Sequence, residues 1–179
     1  MKKAILFSVL ALTLLAAGCG TKSTYIATPG AKAINQADGF KVGQVNDLTG
    51  FHVDDFNLKD AMTAAMEAAL AKQGLTGAGY SVNVNILAYY PGNAFLRWLM
   101  PGAGATQLTV EAMIMDKKGE LAAKIPVDRH ISAGGGYTVG AYKYVVEEVA
   151  QEIAAVIKNP AKAKGKPSGQ AEQKNTYGL

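Results

Sequence analysis

The sequence has 179 residues, 49% of them hydrophobic and 18% charged, with 20 Gly, one Cys and a formal net charge of +4. One cysteine excludes an intramolecular disulfide framework and a Cys-type zinc module, and two His are too few for a His-rich metal site. The hydrophobic share excludes a wholly disordered chain, and the length suits one domain.

Lys2 and Lys3 open the chain as a short basic stretch, and Ala4 to Gly18 follows without a charge. That run has the length of a secretory h-region and is too short to cross a bilayer core of about 30 Å as a helix. The single cysteine stands just after it, in Leu15-Ala16-Ala17-Gly18-Cys19. This pentapeptide resembles the lipobox of bacterial lipoproteins, with Ala16 where Leu is usual. The resemblance implies cleavage before Cys19, so that residues 1–18 are a signal peptide. It also implies that Cys19 receives a diacylglycerol and an N-linked, palmitate-type acyl chain, with no other cofactor. More than one acyl chain holds a protein stably on a membrane, each buried CH₂ contributing about 0.8 kcal/mol. The location implied is the bacterial cell envelope. Gly20, where Asp would favour retention at the inner membrane, points to the outer membrane on its periplasmic face.

The charge balance divides along the same lines. Lys2 and Lys3 belong to the signal, and Lys162, Lys164, Lys166 and Lys174, less Glu172, give the tail three positive charges. The stretch between them is close to neutral, which removes the compositional case for nucleic-acid binding.

Residues 19–38 are rich in Gly, Ala, Thr and Lys, with Pro29-Gly30 as a turn signal. They read as a flexible tether carrying the acylated cysteine, with a reach of roughly 25 Å. A first strand is expected over Phe40 to Asp47. Asn57 is placed as the N-cap of a helix whose apolar positions are Leu58, Met62, Ala65, Ala69 and Leu70, with Gly74 as its stop. Tyr80 to Tyr90 alternates cleanly as a second strand, with Val82, Val84 and Ile86 on one face. Gln107 to Met115 is a third, Lys117-Lys118-Gly119 a hairpin turn, and Glu120 to Ile131 a fourth. Pro126 within that fourth strand suggests an edge or a bulge. After Gly134-Gly135-Gly136, the positions Val139, Tyr142, Val146, Val149, Ile153 and Val156 form a helical stripe ended by Asn159-Pro160. Residues 159–179 are Lys/Gly/Ala/Gln-rich and read as a disordered tail. The order predicts a single α+β domain over residues 39–158: a mostly antiparallel sheet of about four strands with two helices packed on one face.

The least generic stretch joins the second and third strands: Gly92-Asn93-Ala94-Phe95-Leu96-Arg97-Trp98-Leu99-Met100-Pro101-Gly102-Ala103-Gly104. With the strand and the Asp116-Lys117-Lys118-Gly119 turn that follow, it resembles a group of uncharacterised bacterial envelope lipoproteins. These carry a Gly-Asn-Ala-x-x-Arg…Pro-Gly-x-Gly connector before a sheet hairpin. The resemblance extends over Phe40 to Lys158 and the lipobox. It implies location and fold but no established activity. A looser similarity of layout is to lipoproteins that assist envelope transport or secretion. Three uses of the connector are open. Phe95, Trp98, Leu99 and Met100 plug one end of the sheet while Arg97 caps carbonyls; or Phe95, Arg97 and Trp98 form a partner-binding edge, being residue types found at interface hot spots; or the segment enters a membrane interface. The plug is the leading expectation. Tyr137 and Tyr144, near the start of the last helix, are further partner-binding candidates.

Catalytic chemistry finds little support. Asp47, His52, Asp54 and Asp55 share one loop and are weak metal candidates, but they fit no defined motif. Gly102-Ala103-Gly104 lacks the Lys-Ser/Thr of a P-loop, and Gly134 to Gly136 suit a tight strand-to-helix turn. His130, beside Arg129, has no Ser or Cys partner in view. The chain is therefore expected to be no enzyme. It reads as a membrane-anchored envelope lipoprotein acting as a structural or protein-binding module, or alternatively as an accessory lipoprotein of an envelope transport or secretion machine. A weak metal-binding or hydrolytic role of the His52 loop is the remaining alternative.

Overall fold

The computed structural model describes residues 19–51, 56–100, 103–131 and 141–163. The expected signal peptide and residues 164–179 of the expected tail lie outside the described residues, whereas 159–163 of that tail are ordered, with a single 3₁₀ turn at Pro160–Lys162 capped by Asn159 and Ala163 packed against the core. In chain order come strands β1 (Cys19–Ser23), β2 (Ile26–Ala27) and β3 (Phe40–Asp47), helix α1 (Leu58–Lys72) and strand β4 (Tyr80–Tyr90). The short helix α2 (Ala94–Leu99), strands β5 (Thr106–Met115) and β6 (Leu121–Ile131) and helix α3 (Ala141–Lys158) follow. The fold is α+β, as the element order predicts. One six-stranded sheet runs β1-β6-β5-β4-β3, with β2 also paired to β6. Helices α1 and α3 pack on each other and on one face of that sheet. All pairs are antiparallel except β3 with β4, which α1 connects as a parallel crossover.

Side-chain periodicity explains the packing. In β5, Leu108, Val110, Ala112 and Ile114 point into the core between half-buried neighbours. In β4, Val82, Val84 and Ile86 do the same, and an irregularity between Ile86 and Ala88 shifts the phase so that Tyr89 is the next buried residue. Asn57 caps α1, its Oδ1 accepting from the Asp60 N–H at 3.1 Å. At the other end Gly74 takes φ 69°; its N–H donates to Ala71 O and that of Leu75 to Leu70 O, a Schellman closure with both leucines buried. Helix α1 buries Leu58, Met62, Met66, Ala69 and Leu70, with Ala65 partly buried against the same core and Met66 an addition to the expected stripe. Helix α3 buries Val146, Val149, Ile153 and Val156, with Val145, Ala150, Ala154 and Ile157 widening the stripe. Val139 and the side chain of Tyr142 lie outside the described residues.

Two expectations need correction. Residues 19–38 are not a loose tether. Strand β1 pairs with β6 from Cys19↔Ile131 to Ser23↔Val127, and β2 pairs Ile26↔Lys124 and Ala27↔Ala123. Tyr25 and Ile34 pack against the core. Gln36 Nε2 donates to the carbonyls of Ile157 and Lys158 at the end of α3. The free edge of β6 and the open carbonyls of α3 supply these partners, and neither is visible in the local sequence. The second correction concerns Pro126, which lies in a strand flanked on both sides. Its carbonyl accepts from the Thr24 N–H at 3.1 Å, so in an antiparallel ladder its missing N–H faces the same edge. That edge is interrupted there, at Thr24-Tyr25 between β1 and β2, and the absent donor has no strand residue to serve.

Candidate functional site

The strand registers bring several chain segments to one end of the sheet. Cys19 opposes Ile131, Ile131 opposes Thr106, and Gln107 opposes Tyr90. The start of β1, the end of β6, the start of β5 and the end of β4 therefore lie side by side. Cys19 is three strands from β4, or about 14 Å at the usual spacing. The connector rises from this end. Asn93 Oδ1 caps α2 by accepting from the Leu96 N–H at 3.1 Å. The Asn93 N–H donates to Gly104 O, and Thr106 Oγ1 donates to Pro91 O at 2.8 Å, closing the base of the loop.

Of the side chains expected to plug the sheet, the three that are described, Phe95, Leu99 and Met100, do not do so. Phe95, Leu99 and Met100 are 63%, 55% and 57% exposed, and Leu96 is also exposed. The plug is built from other aromatics. Phe51 meets Tyr89 edge-on with ring centroids 5.0 Å apart, and Phe56 lies 6.5 Å from the same ring. With the core closed by these rings, the connector is left as an apolar knob. Tyr90 at the end of β4 and Tyr144 in the first turn of α3 are also exposed, whereas the exposed Leu87 lies on the open face beside Lys22, Thr109, Glu111 and Asp128.

The opposite end is polar. The β5–β6 hairpin there places Lys117, Lys118 and Glu120 in solvent. Asp116 Oδ1 accepts from the backbone N–H of Lys118 at 2.8 Å and of Glu120 at 2.9 Å. The Glu120 amide most of all, with the Lys118 amide and charge, holds the Asp116 carboxyl below the ordinary carboxylate range. Nearby, burial raises the Tyr25 phenol above its usual value, with Tyr80 adding to the effect.

The strand that begins at Cys19 is fastened to the body. Ser23, 1% exposed, donates from Oγ to Glu152 Oε1 of α3 at 2.7 Å. One step along β6, Arg129 Nε meets Glu148 Oε2 of the same helix at 2.8 Å. Nothing in the sequence around Ser23 signals this contact.

The other candidates are dispersed. Tyr137, His52, Asp54 and Asp55 lie outside the described residues, as do the side chains of Arg97 and Trp98 on α2. Asp47 Oδ1 accepts from the N–H and the Oγ1 of Thr49, in a turn. His130 Nε2 is 3.1 Å from Asp128 Oδ1 on the open, polar face of the sheet, where Lys124 also pairs with Glu111. Among the described residues no group of three His, Cys, Asp or Glu is placed to hold a metal ion. Among the same residues, no helix is long and apolar enough to cross a membrane. A shallow cleft of about 430 Å³ lies between α1 and α3, floored by Ala65, Ala69 and Val146 and rimmed by Lys72 and Glu147.

A family model described as a domain of unknown function, DUF4410, matches residues 54–135, which run from just before α1 to just beyond β6. No curated protein matches the chain. Among solved structures, the fold is similar to that of PelC from Paraburkholderia phytofirmans, described as a dodecamer. One crystal form aligns with TM-score 0.51 and 9% identity over 74% of this chain and 96% of that one. A PelC variant from the same organism aligns with TM-score 0.51 and 12% identity over 74% and 95%. A Xanthomonas campestris protein assigned to DUF330 aligns with TM-score 0.48 and 11% identity over 73% and 88%. At these identities the likeness to PelC is one of fold.

Proposed function

We propose that this chain is a lipid-anchored, non-catalytic module of the bacterial cell envelope, held on the periplasmic face of the outer membrane and serving a structural or protein-binding role there. One observation carries the reading. Cys19 of the lipobox-like Leu15-Ala16-Ala17-Gly18-Cys19 is itself paired in the sheet, opposite Ile131. Acylation there puts a thioether-linked diacylglycerol on a residue of the sheet itself. Confinement to a surface raises the effective concentration of the domain towards any partner held on the same surface. The non-catalytic reading draws on the sequence-predicted Asp47 and His130, of which the first is engaged in a turn with Thr49 and the second lies beside Asp128 on the open sheet face.

The test is metabolic labelling with a fatty acid, followed by membrane fractionation. The wild-type chain takes up label and sediments with membranes, whereas Cys19→Ala does neither. Label retained by Cys19→Ala, or absent from the wild type, overturns the anchor.

A further inference from the structure

We propose that the end of the sheet bearing Cys19 lies against the bilayer and that the α2 knob, through Phe95, Leu96, Leu99 and Met100, enters the headgroup–hydrocarbon boundary as a second attachment beside the acyl chains. The proposal rests on acylation of Cys19, and adds to it an orientation and a lipid-contacting surface.

Three independent observations lead there. First, no spacer separates Cys19 from the fold. Strand β1 is paired from Cys19 onward and fastened by the Ser23–Glu152 hydrogen bond. Acyl chains leaving Cys19 therefore bring this end of the domain to the lipid surface, where a tether would have let the body turn freely. Second, the exposed apolar side chains gather at the same end. Phe95 and Leu99 are one helical turn apart, Leu96 and Met100 form the neighbouring row, and all four are exposed. Side chains of this kind are stabilised when they leave water. In an acyl-anchored protein the nearest apolar medium is the one its own lipid occupies. Third, the far end of the molecule carries the Lys117-Lys118 hairpin, and β6 spans the distance between them. At about 3.3 Å per residue that distance is roughly 33 Å, so one end can enter the interface while the other stays in water.

Within the connector, Arg97 is the only charged residue between Pro91 and Thr106. A partly inserted segment accommodates one such residue, because a long cationic side chain keeps its head at the phosphate level while its stem lies among apolar groups. The contact is thus interfacial rather than spanning, in keeping with a helix of only 6 residues.

The experiment uses the full-length chain, expressed so that Cys19 is processed, with Met100→Cys or Lys118→Cys added. Acylation blocks Cys19, leaving one thiol for an environment-sensitive fluorophore. The proteins are reconstituted into phosphatidylethanolamine–phosphatidylglycerol vesicles, with or without phospholipid carrying a nitroxide on its acyl chain. The expected result is a blue-shifted, nitroxide-quenched probe at position 100 and a water-like, unquenched probe at 118. Phe95→Asn with Leu99→Asn, both at exposed positions, reduces the quenching at 100 without loss of the fold. Acylated, vesicle-bound protein with an unquenched probe at 100 overturns the lipid contact and leaves the anchor standing, as does equal quenching at both positions. Absence of acyl label on Cys19 overturns both.

Discussion

Replacing Ser23 by Ala separates the strand that begins at Cys19 from the helix that holds it. Ser23 is 1% exposed and its hydroxyl lies 2.7 Å from a Glu152 carboxylate oxygen. A hydrogen bond to a charged acceptor contributes about 1.5–3 kcal/mol. At about 1.4 kcal/mol per factor of ten, its loss raises the open population of β1 by roughly 10- to 150-fold. Amide hydrogen exchange reads this directly at Thr24, whose N–H donates to Pro126 O at 3.1 Å. The Phe40 N–H, bonded to Leu75 O at 2.7 Å in the core-side junction of β3, is the reference for global opening. In a double-mutant cycle with Glu152→Ala, the coupling energy is the quantity expected at about 1.5–3 kcal/mol. A coupling below about 0.5 kcal/mol, or a Thr24 amide that exchanges no faster relative to Phe40 in Ser23→Ala, refutes the claim that this contact holds β1 in place.

Two further outcomes are expected. Gly77→Ala destabilises the fold by about 1–3 kcal/mol, because its Cβ would stand 2.6 Å from Gly39 Cα and 2.8 Å from Asp38 O, both main-chain atoms; a urea midpoint that does not fall contradicts this. Asp116 has a folded pKa below its unfolded value near 3.8, so its contribution to stability is complete well above that pH and disappears as pH falls through the folded pKa. Urea unfolding of wild type and Asp116→Asn across that acid range checks it: the stability difference shrinks on acidification, and a constant difference contradicts the charge-assisted turn.

Elements whose cause is local are legible in the sequence. The alternation of β4 and β5, the Asn57 cap and the Gly74 stop each depend on residues a few positions apart, and each occurs where the pattern places it. Strand β1 is different. Cys-Gly-Thr-Lys-Ser has neither alternation nor a run of β-branched residues, and its conformation is imposed by the edge of β6 and by a glutamate 129 positions away. The same distance effect misleads at Pro126. A proline signals an edge because it withholds a donor, but here the donor is withheld opposite a break that only the tertiary fold reveals.

The connector poses the harder case, because an apolar burst suits a plug and a protruding knob equally well. What decides is whether the end of the core has room, and that depends on Phe51 and Phe56 reaching Tyr89 from the segment between β3 and α1. Once those rings fill the space, Phe95, Leu99 and Met100 have no interior to enter. Their position then gains meaning from β1. Had residues 19–38 been a tether of roughly 25 Å, a lipid on Cys19 would have constrained neither end of the domain, and the knob would have been a patch without an orientation. Because Cys19 itself is paired, the same registers that order the sheet also set β4, from whose end the knob rises, about 14 Å from Cys19. On the proposed acylation of Cys19, an anchor and an apolar surface on the same end of the sheet act on one bilayer, and loosening β1 is expected to weaken the proposed lipid contact of the knob while leaving acylation unchanged.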